Sequence, residues 1–117
     1  MDNFIPEIAV DFDGTLAYYD HFRGHGVEVL GTPIEPMLNR VKYWVSSGQT
    51  VVIFTARATA DEEGHYAKAQ IREWLEKHGV TKTLEITNIK KKSFKVFYDD
   101  RAFHVIPNTG QVIGVLD

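Results

Sequence analysis

The sequence predicts an α/β domain of three layers with a mostly parallel sheet, and three observations carry that prediction. Short apolar runs of strand length recur along the chain, segments of helical periodicity lie between the first of them, and a Pro107-to-Gly110 turn sits near the end. The 117 residues suffice for one core and leave little for a second, so the expectation is a single domain over 1–117.

Residues Glu7 to Phe12 are nearly all apolar until Asp11, the pattern of a short strand buried on both faces of a parallel sheet. Met37, Leu38, Val41, Trp44 and Val45 then recur at helical spacing, with Pro36 suited to the first turn and Gly48 to the stop. Thr50 to Phe54 repeats the strand pattern. A second helix is expected from Asp61 to His78, with Glu62 and Glu63 in its first turn, Lys77 in its last and Gly79 as terminator. Its inner face is Ala67, Ile71, Trp74 and Leu75. Leu84 to Thr87 and Phe94 to Tyr98 read as two further strands, and Pro107 to Gly110 as the turn of a terminal hairpin. No internal repeat, linker or low-complexity tract interrupts this order.

Hydrophobic residues make up 44% of the chain and charged residues 25%, the balance of an ordinary soluble globular protein. A net charge of -3 argues against a protein held on nucleic acid mainly by phosphate neutralisation. Cysteine is absent, which excludes disulfides and sulfur-ligated zinc and fits a reducing compartment. With no secretory start and no apolar run near the roughly 20 residues that span a bilayer, the expected location is the cytoplasm, with no membrane partner.

Right-handed crossovers between parallel strands make the sheet Rossmann-like and bring all the strand carboxyl ends to one edge, where ligands of open α/β sheets bind. Strand one ends in Asp11-Phe12-Asp13-Gly14-Thr15, so two carboxylates project from the same side of an extended chain and Gly14 lets the backbone turn close to a ligand. Strand two ends in Phe54-Thr55-Ala56-Arg57, where a hydroxyl can donate to a phosphoryl oxygen. Strand three runs into Asn88, Ile89 and the basic run Lys90, Lys91 and Lys92; strand four ends in Asp99-Asp100. Each has an ordinary alternative: a hairpin turn at Asp-Gly, a turn-forming threonine, a solvated lysine loop, an acidic turn. Invoking the ordinary alternative four times at one edge is less economical than one shared reaction.

From Ile8 to Arg101 the sequence resembles the haloacid dehalogenase superfamily of hydrolases, in its Asp11-Phe12-Asp13-Gly14-Thr15-Leu16 start, its Thr55, its lysine and its Tyr98-Asp99-Asp100-Arg101 end. The resemblance implies a phosphomonoesterase of the minimal, capless type. Asp11 would attack phosphorus and form an aspartyl-phosphate, and Asp13 would protonate the leaving oxygen and then activate water. Thr55 and one lysine, with Lys90 preferred over Lys91 and Lys92, would hold the phosphoryl oxygens, and Asp99 and Asp100 would anchor the metal. Charge makes the same demand, because like charges near 4 Å cost about 4 kcal/mol per pair at an effective dielectric of roughly 20. A hard dication with oxygen ligands answers it, and Mg2+ is the expected cofactor, held by the Asp11 side chain, the Asp13 backbone carbonyl and Asp99, with Asp100 direct or through water. Two different functions compete: a noncatalytic phosphate- or metal-binding module of the same type, and a phosphoacceptor signalling domain.

Several features bear on partners. Asn88 to Phe94 is short for a crossover, yet a tight connection of that length reaches about 25 Å against the roughly 21 Å needed to pass two strands and return along the sheet. No segment is long enough for a cap domain, and Ala17 to Gly31, with Tyr18, Tyr19, His21, Phe22, Arg23 and His25, is either a lid or an ordinary surface hairpin. The expected substrate is therefore a phosphorylated small molecule or an exposed phosphate on a larger one. A nucleic-acid end is a further option through Lys90, Lys91, Lys92 and Lys95, though a solvated basic loop is the preferred reading. His21 and His25 lie beside Gly24 and Gly26 and are read as loop residues rather than zinc ligands, and Arg57 and Arg101 as members of structural ion pairs, with phosphate contact as the minority reading. Oligomeric state is not legible.

Overall fold

The structure is a computed structural model that describes residues 5–19 and 30–114. In chain order its elements are β1 (Glu7–Asp11), α1 (Glu35–Ser46), β2 (Thr50–Phe54), α2 (Glu62–Lys77), β3 (Glu85–Thr87), β4 (Phe94–Tyr98), β5 (His104–Val105) and β6 (Val112–Ile113). The first four strands form one parallel sheet in the order β3-β2-β1-β4, and β5 pairs antiparallel with β6 as a separate hairpin. This is an α/β fold with a mostly parallel central sheet flanked by helices, and no cap domain is evident among the described residues.

Residues that alternate along the strands divide the sheet into two faces. Ile8 and Val10 of β1, Val51 and Ile53 of β2 and Ile86 of β3 pack with Leu38 and Val41 of α1 and Ile71, Trp74 and Leu75 of α2 in one buried cluster. The opposite face carries Phe54, Phe94 and Phe97, whose ring centroids lie 5.4 to 5.8 Å apart in edge-on contacts. No helix among the described residues covers that side, and the connection 88–93 lies against it, with the Lys90 and Lys91 ammonium groups over the Phe97 and Phe94 rings. That connection leaves β3, passes β2 and β1, and closes with a turn in which Phe94 N donates to Lys91 O at 3.1 Å. The short crossover therefore works by replacing a helix with a strap of lysine methylenes and cations laid on aromatic rings.

Both helices are bounded as their sequences require. Pro36 stands in the first turn of α1, and beyond its end Gln49 N donates to Trp44 O at 2.9 Å across Gly48, which has φ +83°. Helix α2 is capped by Asp61, whose side chain accepts from Gly64 N at 2.9 Å, and stops with Val80 N donating to Leu75 O across Gly79. Trp74 of α2 holds the site from beneath: its ring meets Phe12 edge-on at 4.9 Å, and its Nε1 donates to Gly31 O at 2.8 Å. Phe12 is wholly buried, so truncating it to alanine would cost about 3–5 kcal/mol and release the turn that follows β1.

Candidate functional site

The turn after β1 is folded tightly on itself. Leu16 N and Ala17 N both donate to Phe12 O at 2.9 Å, and Gly14 N donates to Ala17 O at 2.7 Å. Gly14 has φ +87°, a conformation that side chains resist, and a Cβ there would collide with the Asp100 carboxylate. The glycine thus allows the turn and also lets the end of β4 come up against it. From the turn the chain pairs with the segment before α1: Tyr18 N donates to Thr32 O and Ile34 N to Leu16 O, each at 2.8 Å. These bonds tie both ends of the candidate lid, whose His21, Phe22, Arg23 and His25 lie outside the described residues.

At the carboxyl edge of the sheet one carboxylate oxygen each from Asp11, Asp99 and Asp100 lie within 4.8 Å of one another. Thr15 joins two of them. Its hydroxyl lies 3.3 Å from Asp11 Oδ2 and 3.0 Å from Asp100 Oδ1, and accepts the Asp100 backbone N–H at 2.9 Å. A single hydroxyl proton serves one carboxylate at a time, so the cluster keeps an excess of negative charge. Burial, a hydrogen bond with Asp100 and the charges of Asp99 and Asp100 push the Asp11 carboxyl up to about 7, with the Thr15 hydroxyl pulling weakly the other way. The cluster thus gathers three hard oxygen donors, the donor chemistry that divalent cations take. Asp99 is further fixed by the Arg101 N–H, which donates to its Oδ1 at 2.8 Å.

A groove of about 750 Å³ opens beside Asp11 and Asp99 of this cluster, and Asp100 is not among its lining residues. Asp11, Asp13, Thr55 and Asp99 all line it, so four of the residues singled out in the sequence face one space. The buried Thr55 accepts the Arg57 N–H at 3.2 Å, which leaves its own O–H to donate. Arg57 and Arg101 bring positive charge to the groove, while Asp61 and Glu63 from the start of α2 form an acidic far rim. The Asp61 carboxyl is held below the usual range by the Thr59 hydroxyl and the Gly64 N–H.

Two of the three lysines are placed apart. Lys91 lies at the opposite edge of the sheet, where its Nζ pairs with Glu7 at 3.0 Å and with Glu85 at 2.6 Å, the first residues of β1 and β3. With about 3.3 Å per residue, the end of β1 is on the order of 13 Å away. Lys90 is not among the groove's lining residues, and its Nζ rests 5.4 Å from the Phe97 centroid. Two residues make contacts whose partners the sequence did not indicate. Thr15 is the hydroxyl that links Asp11 to Asp100, and Arg57 forms a two-pronged pair with Asp13, Nε to Oδ2 at 2.6 Å and Nη2 to Oδ1 at 3.1 Å. An ion pair for Arg57 was expected; its partner, 44 residues away in sequence, was not.

No protein-family model matches the sequence, and no curated protein matches it. Among solved structures, a conserved protein from Bacteroides thetaiotaomicron is similar with a TM-score of 0.53, at 22% identity over 85% of this chain and 78% of that one. At that identity the likeness concerns the fold alone. No helix among the described residues is long and apolar enough to cross a membrane.

Proposed function

We propose that this chain is a magnesium-dependent phosphomonoesterase of the haloacid dehalogenase type, with Asp11 as nucleophile. The observation that carries the reading is the convergence of Asp11, Asp99 and Asp100 within 4.8 Å at the mouth of a groove that Asp13 and Thr55 also line. Asp11, the Asp13 carbonyl and Asp99, with Asp100 beside them, would hold Mg2+, which when bound would neutralise charge and polarise the phosphoryl group.

Asp11 Oδ attacks phosphorus, the bond to the leaving oxygen breaks, and Asp13 delivers a proton to that oxygen. Asp13 then takes a proton from water as the hydroxide attacks the aspartyl-phosphate, and inorganic phosphate leaves. The Thr55 O–H donates to a phosphoryl oxygen throughout. Lys90 balances charge after leaving the Phe97 ring, a contact worth only about 0.5–1 kcal/mol where exposed and so readily exchanged for an anion. Lys91 is committed to Glu7 and Glu85 and takes no part. The open groove suits a phosphate ester that protrudes or forms part of a larger molecule, and the cysteine-free chain suits the cytoplasm.

The test is hydrolysis of a generic aryl phosphate with magnesium and with EDTA. Wild type should turn over only with the metal, and Asp11→Asn not at all. Silent wild-type protein that still binds magnesium and phosphate would favour the noncatalytic module instead.

A further inference from the structure

The Asp13–Arg57 pair conflicts with the work proposed for Asp13. Both side chains are largely shielded, with 19% and 12% of their surfaces exposed, and both oxygens of the carboxylate accept from the guanidinium. With both of its oxygens engaged by the guanidinium fork, the carboxylate cannot also reach a leaving oxygen in the groove. The pair and the acid step therefore exclude each other in time. Something must part them when substrate arrives, and the groove itself indicates what. Arg57 lines the same space as Asp11 and Thr55, and a phosphoryl dianion offers its fork the same planar pair of oxygens with more charge.

We propose that Arg57 is an exchange residue: it holds Asp13 in the resting site, passes to the phosphoryl oxygens when the substrate enters, and thereby frees Asp13 for proton transfer. The proposal rests on the phosphatase reading and deepens it. Arg57 is well placed to return, because its backbone N–H is fixed to the Thr55 hydroxyl and only the side chain moves. In the resting state Asp13 is thus covered; in the loaded state the cation is over the anion that has entered. Proton transfer is coupled to phosphate occupancy without a cap domain.

A double-mutant cycle on inorganic phosphate tests the exchange, with the magnesium-loaded protein, titration calorimetry as readout and a melting curve as folding control for each variant. If Arg57 must leave Asp13 to bind phosphate, Asp13→Asn weakens the resting pair and tightens phosphate. The gain should depend on Arg57, with a coupling of about threefold or more in Kd between Asp13→Asn and Arg57→Ala. Arg57→Lys, which keeps a charge and loses the fork, should recover only part of the affinity, and guanidinium ion should restore aryl-phosphate turnover to Arg57→Ala. Wild-type turnover together with an additive cycle would overturn the exchange and leave the phosphatase reading standing. Wild type that neither turns over nor binds phosphate would remove both.

Discussion

Replacing Asp11 with asparagine should abolish turnover and, without metal, make the protein more stable. The reason is the cost of burying an anion and of folding it into the Asp99 and Asp100 field. Two unit charges 4.8 Å apart repel by about 3.5 kcal/mol at an effective dielectric of 20 and by about 0.9 kcal/mol in bulk water. The far partners face solvent, so the lower figure governs, and two such pairs leave about 1–2 kcal/mol after screening. Asparagine keeps an oxygen for the Thr15 hydroxyl and adds an N–H that Asp100 can accept. At pH 8 in EDTA, Asp11→Asn should melt about 4–8 °C above wild type. The sign with pH follows from a carboxyl raised from 3.8 to about 7: the folded state favours the protonated form, so that stabilisation is complete below about pH 4 and lost as pH climbs through 7. The advantage of the variant should accordingly vanish near pH 4 and grow toward pH 8. Magnesium should then raise the melting temperature of wild type far more than that of the variant. An asparagine variant less stable than wild type at pH 8 in EDTA, or a gap indifferent to pH, would refute the reasoning.

Gly14→Ala should cost about 1–3 kcal/mol and most of the activity, since φ +87° is strained for alanine and its methyl would displace Asp100; chemical denaturation and turnover report the two losses. Thr15→Val removes the hydroxyl between Asp11 and Asp100, and should destabilise the fold by about 1–2 kcal/mol while weakening magnesium binding measured by calorimetry. Lys90→Ala should lower kcat at least about tenfold. Lys91→Ala should instead leave kcat near wild type and lower the melting temperature, because it unpairs Glu7 and Glu85 at the far edge. Asp13→Asn should lower kcat by about 10²–10⁴-fold in the aryl-phosphate assay.

The elements were legible where local chemistry determines them. Thr50–Phe54 and Phe94–Tyr98 form the strands their apolar runs predict, and the second helix lies between Asp61 and His78 because the cap and the following glycine are written into adjacent positions. The first strand ends at Asp11, one residue short of the expected Phe12, where the backbone turns so that the ring can reach Trp74. Four strand ends at one edge were readable because parallel topology sends them there. What stayed hidden depends on contacts distant in sequence. Nothing near Arg57 names Asp13 as its partner, nothing in the basic run says that Lys91 will turn to the far edge, and Thr15 gains its second carboxylate only when β4 docks.

That docking has a consequence for how the molecule assembles. Thr15 and Asp100 meet across 85 residues, and β4 takes its place beside β1 only after the chain has already made β2 and β3. A ribosome-bound chain halted before Phe94 has its first aspartates but not its last, and so cannot yet build the anionic pocket. Divalent-ion affinity should consequently appear late in synthesis and in refolding, as a reporter of the finished sheet rather than of any early intermediate.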